Sequence, residues 1–141
     1  MTVQTCISEE TMLPHVVGLF LKPNNRFACE VPLGPRTIDL VVLGRHITAV
    51  ELKVRDWRRA FRQAYIAQLA VHFSYIAIWH EYCGNVNVEH LRLMGIGLIA
   101  VRPGSSIILS RPSRSKIRHQ DYVRRLKKYL HLYPNFNREG S

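Results

Sequence analysis

The chain has 141 residues, 47% of them hydrophobic, which predicts a single domain with its own core and excludes a disordered chain. Lysine and arginine number 20 against 10 aspartate and glutamate, a net charge of +10 that favours a polyanionic partner: nucleic acid first, an acidic membrane surface second. The three cysteines lie far apart without a Cys-x-x-Cys pair, and no apolar run is long enough to cross a membrane. We therefore expect a cytoplasmic protein without a zinc site or a disulfide framework.

The first predicted element is a helix from Ser8 to about Leu21. Ser8 is its expected N-cap, and Glu9 and Glu10 fall in its first turn. Pro14 leaves a second possibility, in which the helix begins at the proline and both glutamates lie in the loop before it.

The first strand is predicted at residues 27–33. Pro32 cannot donate to a strand neighbour, so this strand belongs at an edge of the sheet or at a bulge. Glu30, within it, either faces the acidic site described next or is solvated at the edge.

Two further strands, 37–43 and 47–54, carry charged residues inside strongly apolar runs. Asp39 lies in the earlier strand, and Glu51 and Lys53 lie in the later one. Because side chains alternate along a strand, Glu51 and Lys53 share a face, whereas Leu52 points into the opposite, apolar layer. An unpaired charge is expensive to bury in such a run, so the three charges are expected to interact.

The length of the loop between these strands decides whether the acids meet. A two-residue loop turns Asp39 to the face away from Glu51. A three-residue loop at residues 44–46 pairs Leu43 with Ile47 and usually needs one left-handed residue. We predict this longer loop, because its register sets Asp39 directly across from Glu51.

Two carboxylates at such a separation repel each other unless a proton or a cation lies between them. Hard oxygen ligands beside an ammonium group suit Mg²⁺ or Mn²⁺. The alternative is an ordinary Glu–Lys pair on the surface of a hairpin.

A helix is predicted over residues 55–72, with Asp56 as its N-cap. Small and apolar residues recur along it at three- and four-residue spacing: Trp57, Ala60, Ala64, Ala67 and Val71. Its first two turns carry four arginines: Arg55, Arg58, Arg59 and Arg62. A buried strand at 74–79 follows and completes a βαβ unit, which implies a parallel pair of strands.

The remainder alternates apolar strands with basic segments. A short helix at 88–93 precedes a predicted hairpin of strands 95–101 and 106–110, and the tail 134–141 is expected to be loose. After residue 110 comes a basic connector with Arg111, Arg114, Lys116 and Arg118. A helix at about 120–131 follows it and precedes the tail. That helix is expected to pack through Tyr122, Val123, Leu126, Tyr129 and Leu130, and to expose Arg124, Arg125, Lys127 and Lys128. Residues 102–141 hold ten basic residues against two acids, so they supply +8 of the net charge.

The order of these elements resembles the PD-(D/E)xK nuclease superfamily. A helix, a strand, the Asp39 strand, the strand with Glu51-x-Lys53, a basic helix and a buried strand follow one another over about residues 5–110. This restriction-endonuclease-like fold is shared by archaeal Holliday-junction resolvases and many repair nucleases. The proline of the motif is replaced by Ile38. Gln63 stands where some branches carry a helix glutamine, but Ala67 replaces the tyrosine that follows it there.

The resemblance implies roles for the charged residues. Asp39 and Glu51, with the backbone carbonyl of Leu52, correspond to ligands of Mg²⁺ or Mn²⁺. Lys53 corresponds to the residue that positions or activates the attacking water. A glutamate of the N-terminal helix often completes such a set; either Glu9 or Glu10 lies at the right distance, with Gln63 as a further candidate.

We therefore expect an α/β domain over residues 1–141, with a central mixed sheet flanked by helices and a basic extension from about residue 111. The expected function is that of a Mg²⁺-dependent DNA endonuclease. Nothing in the chain resembles a base-reading module, so recognition of a DNA structure or of a loosely specific duplex is expected. Duplex or branched DNA is the expected substrate, cut in a structure-directed or loosely sequence-specific way by a homodimer. The basic residues of the 55–62 segment, the connector and the last helix are the expected DNA contacts. The alternatives are a non-catalytic DNA-binding module, a protein that binds or cleaves structured RNA, and a basic face kept for solubility.

Overall fold

Apolar strands alternating with amphipathic helices give an α/β fold, described here for residues 7–132 by a computed structural model. The strands are β1 (Arg26–Leu33), β2 (Arg36–Leu43), β3 (Ile47–Lys53), β4 (Phe73–Trp79), β5 (Ile96–Val101) and β6 (Ile107–Ser110). The helices are α1 (Glu9–Val17), α2 (Trp57–Ala67), α3 (Val88–Leu93) and α4 (Gln120–Leu132). Residues 133–141, with the predicted loose tail, lie outside the described residues.

All six strands form one mixed sheet in the order β1-β2-β3-β4-β5-β6. The pairs β1–β2, β2–β3 and β5–β6 are antiparallel, whereas β3–β4 and β4–β5 are parallel. This confirms the central mixed sheet, the βαβ unit around α2 and the hairpin after β5. The first strand lies at an edge of the sheet, one of the two places predicted for it.

Helices cover both faces of the sheet. On one face α1 contributes Met12 and Val16 to a core that includes Leu52, which confirms the predicted orientation of Leu52. On the other face α2 lies close to the sheet through small residues such as Ala64, and α4 contributes the fully buried Leu126. Within the described residues, no helix combines the length and apolar character needed to cross a membrane.

Helix α1 begins as predicted. The Ser8 hydroxyl accepts a hydrogen bond from the Thr11 backbone at 3.3 Å, and the Thr11 hydroxyl accepts one from the Ser8 backbone at 3.1 Å. Pro14 lies inside the helix rather than at its start, and the α-helix gives way after Val17 to a 3₁₀ turn, Gly18–Phe20. Both glutamates after Ser8 are therefore in the first helical turn.

The predicted end of the second helix is wrong: α2 ends at Ala67 rather than near residue 72. Beyond Ala67 the carbonyl of Gln68 accepts a hydrogen bond from the hydroxyl of Ser115 at 2.7 Å, and the next carbonyl accepts one from the His119 backbone at 2.9 Å. Distant residues thus satisfy carbonyls that a longer helix would have used. Its predicted start is confirmed, because Asp56 caps the first turn.

The loop between β2 and β3 has the predicted three residues, since Leu43 pairs with Ile47. The expected left-handed residue is not there: none of residues 44–46 has a positive φ. Gly44 is favoured for a different reason, because a Cβ atom there would force the side chain of Asn25 to move. That Asn25 side chain donates to the carbonyl of Phe20 at 2.8 Å, so the loop packs against a residue fixed to the 3₁₀ turn after α1.

Helix α4 has the predicted amphipathic arrangement. Leu126 is buried, and Tyr122, Tyr129 and Leu130 pack beside it against the sheet. The four basic residues predicted to face outward are exposed: Arg124, Arg125, Lys127 and Lys128. Replacing them is therefore expected to leave the core intact.

Candidate active site

The two acids meet where the ladder between β2 and β3 stops. Backbone pairing runs as far as Leu40 opposite Val50, and the next position brings Asp39 beside Glu51. Beyond that point a side chain–backbone hydrogen bond replaces the backbone pairing: the Asp39 carboxylate accepts from the Leu52 backbone at 2.8 Å. The Glu51 carboxylate in turn accepts from the Asp39 backbone at 3.4 Å. Each acid is thus held by the backbone of the other strand.

A backbone irregularity in β1 lies next to this point. The β1–β2 ladder passes over Glu30 and Asp39, which face each other, and resumes at the same register on either side. Glu30 has a φ of 50°, a left-handed conformation that costs a residue other than glycine about 1–3 kcal/mol. Side-chain alternation shifts here, since Ala28 and Val31 enter the same core although they are three residues apart. The irregularity thus lies directly opposite Asp39, whose carboxylate bonds to the backbone of β3.

The Glu51 carboxyl group is the most perturbed acid of the site. Its side chain is 1% exposed, and burial raises its pKa from the usual 4.5 to about 8, with the nearby Asp39 carboxylate as the next cause. Burial also raises the pKa of Asp39, although the hydrogen bond from Leu52 and the charge of Lys53 oppose this. The pair therefore holds a proton at neutral pH unless a cation is present.

Lys53 lies at the end of β3 and bonds to the N-terminal helix. Its ammonium group is 3.3 Å from the carboxylate of Glu9, and the two side chains are 14% and 45% exposed. A cavity of about 270 Å³ beside them is lined by Glu9, Glu10, Glu30, Asp39 and Leu52, among others. The structure thus brings both candidate glutamates of α1, and Glu30, to the same cavity as Asp39.

The carboxylate oxygens of this site are of the type that hard divalent cations prefer, although they do not form a complete set of metal ligands. Among residues 7–132, no three histidine, cysteine, aspartate or glutamate side chains form a group that could hold a metal. What is present is Asp39 at the cavity with Leu52 and further carboxylates, and Glu51, which is outside the cavity lining but accepts from the Asp39 backbone. Oxygen-rich sites of this kind suit Mg²⁺ or Mn²⁺, and a cation would offset both the burial and the repulsion from Asp39 that raise the pKa of Glu51.

Gln63 is not brought to the acids by any described contact. Its side chain is half-buried, and its Oε1 atom is buried without a hydrogen-bond partner in the described part of the chain. It does not line the acidic cavity. Its catalytic role stays a prediction.

Four arginines near the start of α2 lie at the surface. Arg55 precedes the Asp56 cap, the others are in the helix, and all four are exposed: Arg55, Arg58, Arg59 and Arg62. Two of them are braced by aromatic rings. The guanidinium group of Arg55 lies 4.8 Å from the ring centre of Tyr82, and that of Arg58 lies 4.8 Å from the ring centre of Trp57. Bracing of this kind leaves the charges accessible to a polyanion.

The C-terminal basic residues gather at the other end of β3. His72 accepts a hydrogen bond from the Ile47 backbone at 3.0 Å, where the strand begins. Burial, together with the nearby charges of Arg118, Arg114, His46 and Lys127, lowers the pKa of His72 from 6.5 to about 4. Arg111, Arg114 and Lys116 are exposed, whereas Arg118 is half-buried. Strands rise about 3.3 Å per residue, so this group lies roughly 13 Å along β3 from Glu51.

Substituting the two α1 glutamates separately should show which one serves the site. Glu9→Gln removes the partner of Lys53 and is expected to lower metal-dependent cleavage by about 10- to 100-fold, the usual effect of losing a positioning group. Glu10→Gln, which keeps that ion pair, is expected to cleave within about twofold of the wild type. Rates of cleavage of a labelled duplex at saturating Mg²⁺ measure both. A loss confined to Glu10→Gln would reverse the assignment.

Comparisons with known proteins establish the fold and go no further. No protein-family model matches the chain, and no curated protein does. A solved structure, the SPO1766 protein of unknown function from Silicibacter pomeroyi, is similar with a TM-score of 0.60 and 14% identity. The match covers 86% of this chain and 79% of that one. A likeness at this identity concerns the arrangement of strands and helices alone.

Proposed function

We propose that the protein is a divalent-metal-dependent DNA endonuclease with a restriction-endonuclease-like core. The interlocked Asp39 and Glu51 carboxylates, with Lys53 beside them, carry this proposal. A structural ion pair has no need of a second buried acid whose pKa is raised to about 8. A site that binds a cation needs such an acid as a ligand, and acids with perturbed pKa values in such clusters are typical of functional sites.

In this proposal Asp39, Glu51 and the carbonyl of Leu52 hold Mg²⁺ or Mn²⁺, which supplies Lewis-acid stabilisation of the charge developing on the scissile phosphate. Lys53 orients the attacking water and donates to that developing charge. Glu9, 3.3 Å from the Lys53 ammonium group, fixes its position. The low exposure of Glu51 limits competing water and strengthens each of these interactions.

The two basic groups are the proposed DNA contacts. The arginines of α2 follow Lys53 closely in the chain, and the C-terminal group lies at the opposite end of β3. Contacts of both groups with phosphates hold the duplex or branched DNA without reading its sequence. Two such sites in a homodimer would cut both strands.

A panel of labelled DNAs tests the proposal: duplex, flap, single-stranded and four-way-junction substrates with Mg²⁺, and the same set with a chelator. Cleavage of at least one DNA only with Mg²⁺, and its loss in Glu51→Gln, supports the endonuclease. Tight binding without cleavage of any DNA favours the non-catalytic DNA-binding module. Cleavage confined to a structured RNA included in the panel favours the RNA alternative.

The exposed basic face of α4 should contribute to the salt dependence of DNA binding. Each phosphate neutralised changes the slope of log K against log salt by about −0.9, so four contacts give a slope near −4. Changing Arg124, Arg125, Lys127 and Lys128 together to alanine is expected to flatten the slope by about one unit per lost contact and to weaken all sequences alike. Fluorescence anisotropy over a salt series measures this. An unchanged slope in the folded variant would assign this face to solubility.

A further inference from the structure

A groove between α2 and α3 combines an aromatic floor with a cationic rim. Its volume is about 440 Å³, within the range of about 300–1,000 Å³ of small-ligand sites. Trp57, 7% exposed, and the half-buried Phe61 form the floor. The exposed side chains of Arg58, Arg62 and His90 form the rim.

The rings of this groove contact one another and an arginine of its rim. The ring centres of Phe61 and His90 are 4.7 Å apart, and the Arg58 guanidinium lies over the Trp57 ring at 4.8 Å. Asn85, also in the lining and exposed, adds an amide that both donates and accepts hydrogen bonds. A purely structural aromatic cluster has no need of exposed cations and an amide around it.

We propose that this groove binds an unpaired nucleobase of the DNA substrate. Bases stack on aromatic rings and on guanidinium planes, and the arginines of the rim match the adjoining phosphates. Bases within a continuous duplex are stacked on one another and do not reach such a groove. The substrate class is therefore single-stranded or branched DNA with unpaired bases. This inference takes its DNA partner from the proposed function but does not depend on cleavage.

The groove also lies close to the acidic site along the chain. Trp57 begins α2 only four residues after Lys53, and Arg55 between them lies against Tyr82. An unpaired base held here therefore leaves the neighbouring phosphates of its strand near the end of β3.

Oligothymidine and an abasic strand of equal length test the proposal, because they share phosphates and differ in bases. Binding is measured by fluorescence anisotropy in a chelator with the full chain, so that no strand is cut. The wild type is expected to bind oligothymidine about tenfold more tightly than the abasic strand. Phe61→Leu, which keeps most of the apolar volume, should bring the two affinities close together, and so should His90→Ala at the exposed rim.

Two matched variants separate stacking from charge and from general loss of an aromatic ring. Arg62→Gln should weaken both strands by a similar factor, whereas Phe20→Leu, on the other face of the sheet, should keep the preference for bases. Equal binding of both strands by the wild type overturns the inference, as does a preference that survives in both Phe61→Leu and His90→Ala. A preference for bases without cleavage of any DNA would refute the endonuclease and support the nucleobase-binding groove. Cleavage with equal binding of both strands would support the endonuclease and refute the groove.

Discussion

Replacing Glu51 with glutamine is expected to reduce Mg²⁺-dependent DNA cleavage at least about a thousandfold while DNA binding is kept or strengthened. Glutamine has the shape of the carboxylate but not its charge, and Glu51 is 1% exposed. The Asp39 backbone still finds an oxygen to donate to, so the fold is retained. Without metal the acid pair already holds a proton at neutral pH, so a neutral glutamine at position 51 adds no repulsion against the phosphates and DNA affinity is not lowered.

Three further variants complete this test. Asp39→Ala should also abolish cleavage, and Lys53→Ala should abolish it with metal binding largely retained. Glu89→Gln is the matched control, because Glu89 is an exposed acid paired with Arg92 at 3.5 Å, away from the acidic cavity. Full activity in Glu51→Gln would refute the assignment of the metal site.

The metal-free protein is expected to lose stability as the pH rises from 7 toward 9. The pKa of Glu51 is about 8 in the folded protein and 4.5 when unperturbed, so between these values the folded state holds a proton that the unfolded state lacks. The free energy of unfolding therefore falls with pH in this window, by about 1.4 kcal/mol per pH unit near pH 7, and levels off above pH 8.

His72 does not confuse this measurement. Its pKa is lowered from 6.5 to about 4, so its contribution to stability is present above pH 6.5 and is lost as the pH falls toward 4. Urea unfolding in a chelator at several pH values from 7 to 9 gives the slope. Glu51→Gln should remove most of it. A wild-type slope equal to that of Glu51→Gln would show that Glu51 titrates normally.

The sequence predicted those features that depend on local pattern. Side chains alternate along strands 37–43 and 47–54, and only a three-residue loop sets Asp39 across from Glu51. These two facts predicted the loop length, and the pairing of Leu43 with Ile47 confirms it. Caps at Ser8 and Asp56 were predicted because capping depends on residues within one turn.

What the sequence did not predict depends on distant contacts. The early end of α2 follows from hydrogen bonds with Ser115 and His119, which no local pattern shows. His46, in the loop between β2 and β3, is half-buried, because its ring centre lies 5.1 Å from that of His72 and 5.5 Å from that of Phe73. The left-handed Glu30 carries no signal at all, because glutamate rarely adopts that conformation.

The hydrogen bonds that end α2 also hold the basic connector in a fixed position. Ser115 bonds to Gln68 through its hydroxyl and to the carbonyl of His72 through its backbone, and the Ser113 backbone bonds to Gly95. The connector is therefore fastened to the sheet at several points rather than trailing from it. Its charges are preorganised: much of their backbone freedom is lost when the domain folds, so less remains to be lost when a phosphate binds.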